Sequence, residues 1–381
     1  MIKGAFPLEE FRARRTPFYF YDTQLLKRTL EELKAQLARK PLWQVHYAIK
    51  ANFHPELLRI IAEAGLGADC VSGGEVQAAL DAGFAPGSIF FAGVGKSDDE
   101  ILLGLTAGIG RFNVESLAEL QVINDLAGQC GRVAPVSFRV NPDVGAHTHA
   151  NITTGLAENK FGIHHTQIES AIRQAQSLPN IEFKGLHFHI GSQILDMSDF
   201  VALCNRITEC TARLELEGIK LSDINVGGGL GIEYEHPNHL PIADFRGYFD
   251  VFKRHLNTDG PIHFELGRSI VAPCGTLISR VLYVKDGLYK QFAILDAGMT
   301  DLIRPALYHA YHRIENISSD GPEAKYDVVG PVCESSDVFG KGVVLNECRR
   351  GDIIAIRSAG AYGESMASHY NCRRLAESMV L

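Results

Sequence analysis

Lys50 has the most suggestive position for chemistry, because it directly follows a short apolar run at residues 45–49. An isolated lysine is usually a solvated surface charge. A lysine that is desolvated at the end of a buried strand has a lowered amine pKa and can condense with an aldehyde. The position therefore predicts a reactive amine and makes an aldehyde cofactor plausible.

Glu265 lies in another apolar run, residues 262–266, and is the candidate partner of such a cofactor. A carboxylate beside the nitrogen of a pyridine ring keeps that nitrogen protonated, and the protonated ring then withdraws electrons from a carbanion. The alternative is an ordinary solvated charge at a strand end. Asp69 and Arg139 belong to two further apolar runs, Arg268 follows the run of Glu265, and all three join the same candidate set.

Two histidines, His187 and His189, alternate along one apolar run, and Ser192 follows them. His189 could stack on a cofactor ring, although a histidine on a strand is more often a structural residue. Since residues two apart share a strand face, the pair could instead bind a metal, as in amidohydrolases. Both interpretations stay open on the sequence pattern alone.

Four glycines in residues 227–231 can bring backbone N–H groups close to a phosphate. The alternative is a plain tight turn. The run is not a dinucleotide-binding fingerprint, because Ile232 stands where that motif needs its last glycine. Residues 95–97 resemble the end of a Walker A loop, but Phe90 occupies the position of its first glycine.

Eight short apolar or β-branched runs must position these side chains, and stretches of helical periodicity separate them. This alternation predicts an α/β fold with eight parallel strands, the number in a (β/α)8 TIM-type barrel, with an open doubly wound sheet as the alternative. In such barrels the reactive groups lie at the carboxyl ends of the strands. The predicted strands are 45–49, 68–71, 89–92, 111–114, 135–140, 185–190, 223–226 and 262–266.

After Gly267 the runs alternate without helical periodicity, which predicts a C-terminal antiparallel β domain. At 381 residues the chain is long enough for two domains. We therefore predict a barrel at 25–266, with 1–24 and 267–381 forming the β domain. The aromatic segment 17–21 is expected to pair with that second domain.

The overall composition excludes several other classes of protein. A net charge of -8 with interspersed signs offers no basic stripe for nucleic acid. No run of about 18 apolar residues is present to span a membrane, and Glu9 and Glu10 stand where a signal peptide would be apolar, so a cytoplasmic protein is expected. Eight scattered cysteines without a C-x-x-C pair predict neither a zinc ribbon nor a disulfide scaffold. We predict no metal.

Seven motifs, in order over nearly the whole chain, make the sequence resemble the fold type III (alanine-racemase-like) pyridoxal-phosphate-dependent decarboxylases. Among the branches of that family, the diaminopimelate decarboxylases are the most similar. The motifs are YAIKAN at 47–52, residues 67–75, HIGSQ at 189–193, residues 227–232, RPALY at 304–308, CESSD at 333–337 and GAYG at 360–363.

The resemblance implies pyridoxal 5'-phosphate as cofactor, held covalently by Lys50. It further implies that His189 stacks on the pyridine ring, that Glu265 pairs with the ring nitrogen, and that Ser192, glycines of the 227–231 run and Tyr362 bind the phosphate. The complete cofactor-binding set is Lys50, Asp69, Arg139, His189, Ser192, Gly228, Gly229, Glu265, Gly267, Arg268 and Tyr362.

The resemblance also implies an activity, the conversion of meso-diaminopimelate to L-lysine and carbon dioxide by a homodimer with shared active sites. The distal end of that substrate is itself an amino acid, whose carboxylate suits arginine and whose ammonium suits Glu334. Cys333, reaching the site from the other subunit, would return a proton after carbon dioxide leaves. The implied substrate-binding residues are Arg268, Arg304, Tyr308, Glu334 and Tyr362.

The sequence departs from the family pattern at Leu266, where proline is usual, and in the tail 364–381, where Arg373 and Arg374 replace an arginine–proline pair.

Three rival functions stay open. The first is a carboxynorspermidine or ornithine decarboxylase with the same cofactor. The others are a metal-dependent amidohydrolase and a non-catalytic cofactor-binding homologue.

Overall fold

The chain alternates strands and helices as far as residue 268 and is mainly strand beyond it. A computed structural model describes residues 6–38, 40–141 and 160–381. The strands are β1 Phe18–Tyr21, β2 Trp43–Ala48, β3 Gly67–Cys70, β4 Ile89–Phe91, β5 Arg111–Val114, β6 Ala134–Asn141, β7 Ile163–His164, β8 Ile181–His187, β9 Asp223–Asn225, β10 Ile262–Leu266, β11 Gly275–Asp286, β12 Gln291–Leu295, β13 Ile314–Asn316, β14 Glu323–Val329, β15 Val338–Asn346, β16 Ile353–Ile356 and β17 Glu377–Val380.

The helices separate the strands of the first part and become short in the second. They are α1 Leu8–Ala13, α2 Thr23–Leu37, α3 Pro55–Glu63, α4 Gly73–Asp81, α5 Asp98–Ala107, α6 Leu117–Gln129, α7 Ile168–Ser177, α8 Met197–Leu216, α9 Phe245–His255, α10 Arg268–Val271 and α11 Arg304–Tyr308. Local sequence signals set several ends: α5 begins with a capping box of Ser97 and Glu100 and ends at left-handed Gly108.

The first sheet is a closed parallel barrel of eight strands, in the order β5-β4-β3-β2-β10-β9-β8-β6, with β5 pairing back to β6. Strand β7 adds to β6 outside this ring. The predicted (β/α)8 barrel is therefore confirmed, and the alternative of an open sheet is excluded. Each predicted strand overlaps an observed one.

Polar side chains fill part of the barrel interior in layers. Arg111 on β5 donates to both carboxylate oxygens of Asp223 on β9, at 2.9 and 2.7 Å. These strands are not neighbours, so the two side chains meet across the interior. His46 and His263 join this layer through a contact of 3.0 Å between Nε2 and Nδ1.

The second sheet has eight strands: β1 and the seven strands from β11 to β17. Strand β1 pairs with β11 and β17, which confirms that segment 17–21 belongs to this sheet. The prediction of an antiparallel domain was wrong in part, because β12 pairs parallel with β14 and β1 parallel with β17. Parallel pairing needs a long connection, which alternation along single strands does not reveal.

Two compact units result: Thr29–Gly231 with Asp244–Arg268, and Met1–Arg28 with Ile232–Ala243 and Ser269–Leu381. The predicted barrel of 25–266 differs from the first unit mainly at 232–243, which groups with the β unit. Strands β9 and β10 lie on either side of that segment, so strand spacing could not separate it. Within the described ranges, no helix is both long and apolar enough to cross a membrane.

Candidate active site

Lys50 lies just beyond the carboxyl end of β2, in a single helical turn, Ile49–Ala51. Its Nζ is 3.6 Å from Oδ2 of Asp69, which lies on neighbouring β3. The lysine side chain is 38% exposed and the aspartate side chain 1%. The amine therefore combines an accessible position with a buried acidic neighbour.

Asp69 is a buried carboxyl group whose two oxygens accept no hydrogen bond from the described part of the chain. Burial and the negative charge of Glu265 raise its pKa well above the usual value, and Lys50 opposes this. A buried polar atom without a partner is uncommon in native proteins, and one explanation is a bound group that supplies the missing donor. Asp69 is thus suited to face a ligand next to Lys50.

Glu265 lies at the carboxyl end of β10 and accepts three hydrogen bonds from buried side chains. His187 contacts Oε2 through Nε2 at 3.0 Å, while Asn113 and Asn225 donate to Oε1 at 3.3 and 2.7 Å. Burial acts to raise the pKa of Glu265, but the charge and hydrogen bond of His187 outweigh it and hold the pKa well below its usual range. Glu265 is therefore an ionised carboxylate inside the barrel.

The glycine run forms a turn that no larger residue fits. Gly227 and Gly229 have φ of 71° and 110°, in the left-handed region. A Cβ on Gly228 would lie 1.8 Å from the carbonyl oxygen of Glu265, and one on Gly229 would lie 2.8 Å from that of Gly191. The glycines therefore let this turn pack closely against the backbone of the neighbouring strand ends.

His189, Ser192 and Arg268 lie around this turn. The N–H of Gly228 donates to Nδ1 of His189 at 3.3 Å, and burial with the positive charges of Arg139 and Lys50 holds the pKa of His189 well below its usual value. A neutral ring of this kind can pack on an aromatic cofactor. Arg268 donates to Oγ of Ser192 at 2.9 Å.

Arg139 and Gly267 complete the predicted set in the barrel unit. Arg139 on β6 donates to Glu115 at 3.0 Å, and its guanidinium lies 4.5 Å from the ring centroid of Phe161. A Cβ on Gly267 would lie 3.0 Å from that of Ala51, so glycine permits close packing beside Lys50. All the predicted cofactor-binding residues of 29–268 therefore lie at or near carboxyl ends of barrel strands.

Sequence reasoning missed Glu115, Asn113 and Asn225 as members of this network. Each stands at or next to the end of a strand that was correctly predicted, β5 or β9. The signal that could have found Asn113 and Asn225 is their two-residue offset from Arg111 and Asp223, which puts them on the same interior face.

The remaining predicted residues lie in the β unit. Arg304 begins α11, is buried, and donates to Tyr234 Oη at 3.0 Å and His312 Nε2 at 2.7 Å. Glu334 accepts from Tyr370 at 2.7 Å, and its neighbour Cys333 is an exposed free thiol. Two half-buried tyrosines complete the set, Tyr308 at the end of α11 and Tyr362 with a φ of 56°.

Comparison with known proteins shows the family to which this chain belongs. A sequence model described as "Pyridoxal-dependent decarboxylase, pyridoxal binding domain" matches residues 24–272. A diaminopimelate decarboxylase from Bacteroides thetaiotaomicron is 60% identical over 376 residues, covering 98% of this chain and 97% of that protein. The chain belongs to the diaminopimelate decarboxylase family. A relative from Archaeoglobus fulgidus is 43% identical over all of this chain and 91% of its own length.

Solved structures of the family agree with the fold. Diaminopimelate decarboxylase from Helicobacter pylori, complexed with L-lysine, has a TM-score of 0.91 at 41% identity, over 98% of this chain and 93% of that one. A lysine/ornithine decarboxylase from Vibrio vulnificus, at 23% identity and a TM-score of 0.83, shares the fold. The chain is thus a pyridoxal-dependent decarboxylase, and its cofactor is pyridoxal phosphate.

The barrel residues fit that cofactor. The unpartnered oxygens of Asp69, the amine of Lys50 and the glycine turn at 227–229 offer sites for the polar groups of a phosphorylated aldehyde. The described residues include no group of three or more His, Cys, Asp or Glu side chains placed to hold a metal. His187, half of the pair considered for a metal, instead contacts Glu265.

Proposed function

We propose that this protein removes one carboxylate of meso-diaminopimelate to give L-lysine and carbon dioxide, the last step of lysine biosynthesis. The observation that carries the proposal is the 60% identity to a diaminopimelate decarboxylase over 98% of the chain. That similarity extends through both compact units, and so includes the residues proposed below to bind cofactor and substrate.

In this proposal the barrel residues hold the cofactor, which supplies an electron-withdrawing ring when it is bound. Lys50 anchors it covalently, and Glu265 keeps a negative charge at the ring nitrogen. His189 packs on the ring face. Asp69 and Arg139 are neighbours of Lys50 and His189. Ser192, Gly228, Gly229, Gly267, Arg268 and Tyr362 are assigned to the phosphate and its surroundings.

We assign the distal end of the substrate to Arg268, Arg304, Tyr308, Glu334 and Tyr362. The two guanidinium groups suit a carboxylate, since arginine can bind it through two parallel hydrogen bonds. Glu334 suits an ammonium group, and the hydroxyl of Tyr370 already orients it at 2.7 Å. A precursor of a simple diamine has no distal carboxylate and would not make this contact with the two arginines.

We further propose that the active enzyme is a homodimer in the cytoplasm, with each active site shared between subunits. Cys333 then supplies the proton that replaces the lost carboxylate. Its exposure on the β unit leaves the thiol available for such a role.

The test is incubation of the purified protein with meso-diaminopimelate and added pyridoxal phosphate, followed by measurement of lysine and carbon dioxide. We expect stoichiometric release of both products. Ornithine, lysine and carboxynorspermidine serve as competing substrates, and turnover of any of them faster than diaminopimelate would contradict the proposal. Absence of turnover on all four would favour a non-catalytic homologue.

A further inference from the structure

Glu265 is held by side chains from three other strands of the barrel. Asn113 comes from β5, His187 from β8 and Asn225 from β9, and all three are buried. Asn113, Asn225 and Glu265 each follow, by two residues, a member of the polar layer formed by Arg111, Asp223 and His263. They therefore form a second interior layer, one step closer to the carboxyl ends of the strands.

The acceptor positions of Glu265 can be counted. An ionised carboxylate has about four lone-pair sites, two on each oxygen. Asn113 and Asn225 occupy both sites of Oε1, and His187 occupies one site of Oε2. One acceptor site is left, and it lies on Oε2.

The donors also set the ionisation state of this carboxylate. Hydrogen bonds donated to the charged form of a carboxylate stabilise that form, so the three bonds favour the ionised state of Glu265. His187 Nδ1 makes no hydrogen bond within the described residues, so the contact of this ring with Glu265 is made through Nε2.

Asn225 connects this layer to the glycine turn. Its Nδ2 donates to Glu265 at 2.7 Å while its Oδ1 accepts from the N–H of Gly227 at 2.9 Å. One amide thus fixes the position of the carboxylate relative to the backbone that approaches a phosphate.

We propose that Asn113, His187 and Asn225 are positioning residues that keep Glu265 ionised and leave one lone pair of Oε2 for the protonated nitrogen of the cofactor ring. The inference rests on the proposed pairing of Glu265 with that nitrogen. It adds that the pairing depends on three residues that do not themselves contact the ring.

The experiment compares two cofactors that differ only at the ring nitrogen: pyridoxal 5'-phosphate and its 1-deaza analogue, which has a C–H there. Apparent dissociation constants of both are measured by absorbance titration of the full-length protein, and their ratio gives the preference for the nitrogen. Merely structural damage would weaken both cofactors alike and leave the ratio unchanged. Activity with diaminopimelate is measured separately.

We expect N113D, N225D and H187L to reduce the preference for the nitrogen roughly tenfold, the usual effect of losing a hydrogen bond to a buried charge. The aspartates keep the amide shape but replace a donor by a like charge. H187Q should retain the preference, because its amide N–H can replace Nε2–H. The matched control is N124D, a buried asparagine on α6 that bonds Asn180, and it should also retain the preference.

The outcomes separate this inference from the function on which it rests. If E265A lowers the preference while N113D, N225D and H187L all keep it, the positioning role is wrong and the pairing stands. If E265A also keeps it, the pairing itself is wrong, whatever the lysine assay gives. Should one variant fail to fold, the other two decide the result.

Discussion

At the residue scale, Lys50 is useful because two properties coincide there. Its amine is partly exposed, and its neighbour Asp69 is buried 3.6 Å away with no hydrogen-bond partner among the described residues. A buried acidic neighbour of this kind lies beside the amine without covering it. Covalent attachment of an aldehyde cofactor needs both access and orientation.

Replacing Lys50 by alanine should remove the covalent link and reduce turnover by roughly 10³-fold or more. Lys96 also has its amine near the ends of β4 and β5, but that amine is buried and bonded to Gly93, Asn113 and Glu119, so it should not substitute. Borohydride reduction followed by peptide mass spectrometry measures the link directly. In the wild type the cofactor mass should appear on residue 50.

The control is Lys184→Ala, which removes a strand lysine paired with Glu182, and it should behave as wild type. A cofactor adduct on another residue would contradict the assignment.

Sequence reasoning found Lys50, Arg139 and Glu265 as candidate residues but missed the side chains that bond to Arg139 and Glu265. Lys50 and Glu265 stand out because a charge at the end of an apolar run needs an explanation. Asn113 and Asn225 look like ordinary polar residues, and only strand order shows that β5 faces β9 and β10 across the interior. The pairing of Arg139 with Glu115 is likewise a contact between strands that one sequence cannot place.

At the element scale, the parallel barrel explains why residues so distant in sequence meet. Every barrel strand points the same way, so residues after β2, β3, β8, β9 and β10 arrive at one end. The sequence predicted these strands because buried parallel strands are short apolar runs. It predicted the β unit less well, since the parallel pairs of that sheet depend on long connections.

The turn after β9 gives a test at this scale. Gly228→Ala should destabilise the fold by about 3 kcal/mol or more, because the new Cβ would lie 1.8 Å from the carbonyl oxygen of Glu265 and backbone must move. It should also weaken pyridoxal phosphate binding. Urea unfolding and cofactor titration measure the two effects.

The control for that substitution is Gly87→Ala, where a Cβ would meet nothing within 4 Å. Its stability should lie within about 0.5 kcal/mol of wild type. If Gly228→Ala unfolded at the same urea concentration as this control, the turn would have room for a side chain. The close packing of Gly228 against Glu265 would then not be what requires glycine.

At the scale of the whole molecule, the chain forms two units, and each is built from segments that are not continuous in sequence. The β unit takes its first strand from residues before the barrel and the segment Ile232–Ala243 from within the barrel region. The sequence predicted the first exchange from the aromatic pattern of 17–21. It did not predict the second, because 232–243 contains neither helix nor strand to carry a periodic signal.

The stability of the whole chain should depend on pH through His46, which lies in the barrel's polar layer with Arg111, Asp223 and His263. Burial and the neighbouring His263 lower the pKa of His46 to about 3, against about 6.5 in an unfolded chain. Between these values the unfolded state binds one more proton, so stability from this group is complete above about pH 6.5 and is lost as pH falls towards 3.

Urea unfolding of wild type and His46→Gln from pH 7 to 4 should show their difference in unfolding free energy shrinking by about 1.4 kcal/mol per pH unit. The difference for His255→Gln, an exposed residue on α9, should stay constant; a constant difference for His46→Gln would show that the imidazole is protonated within the folded barrel.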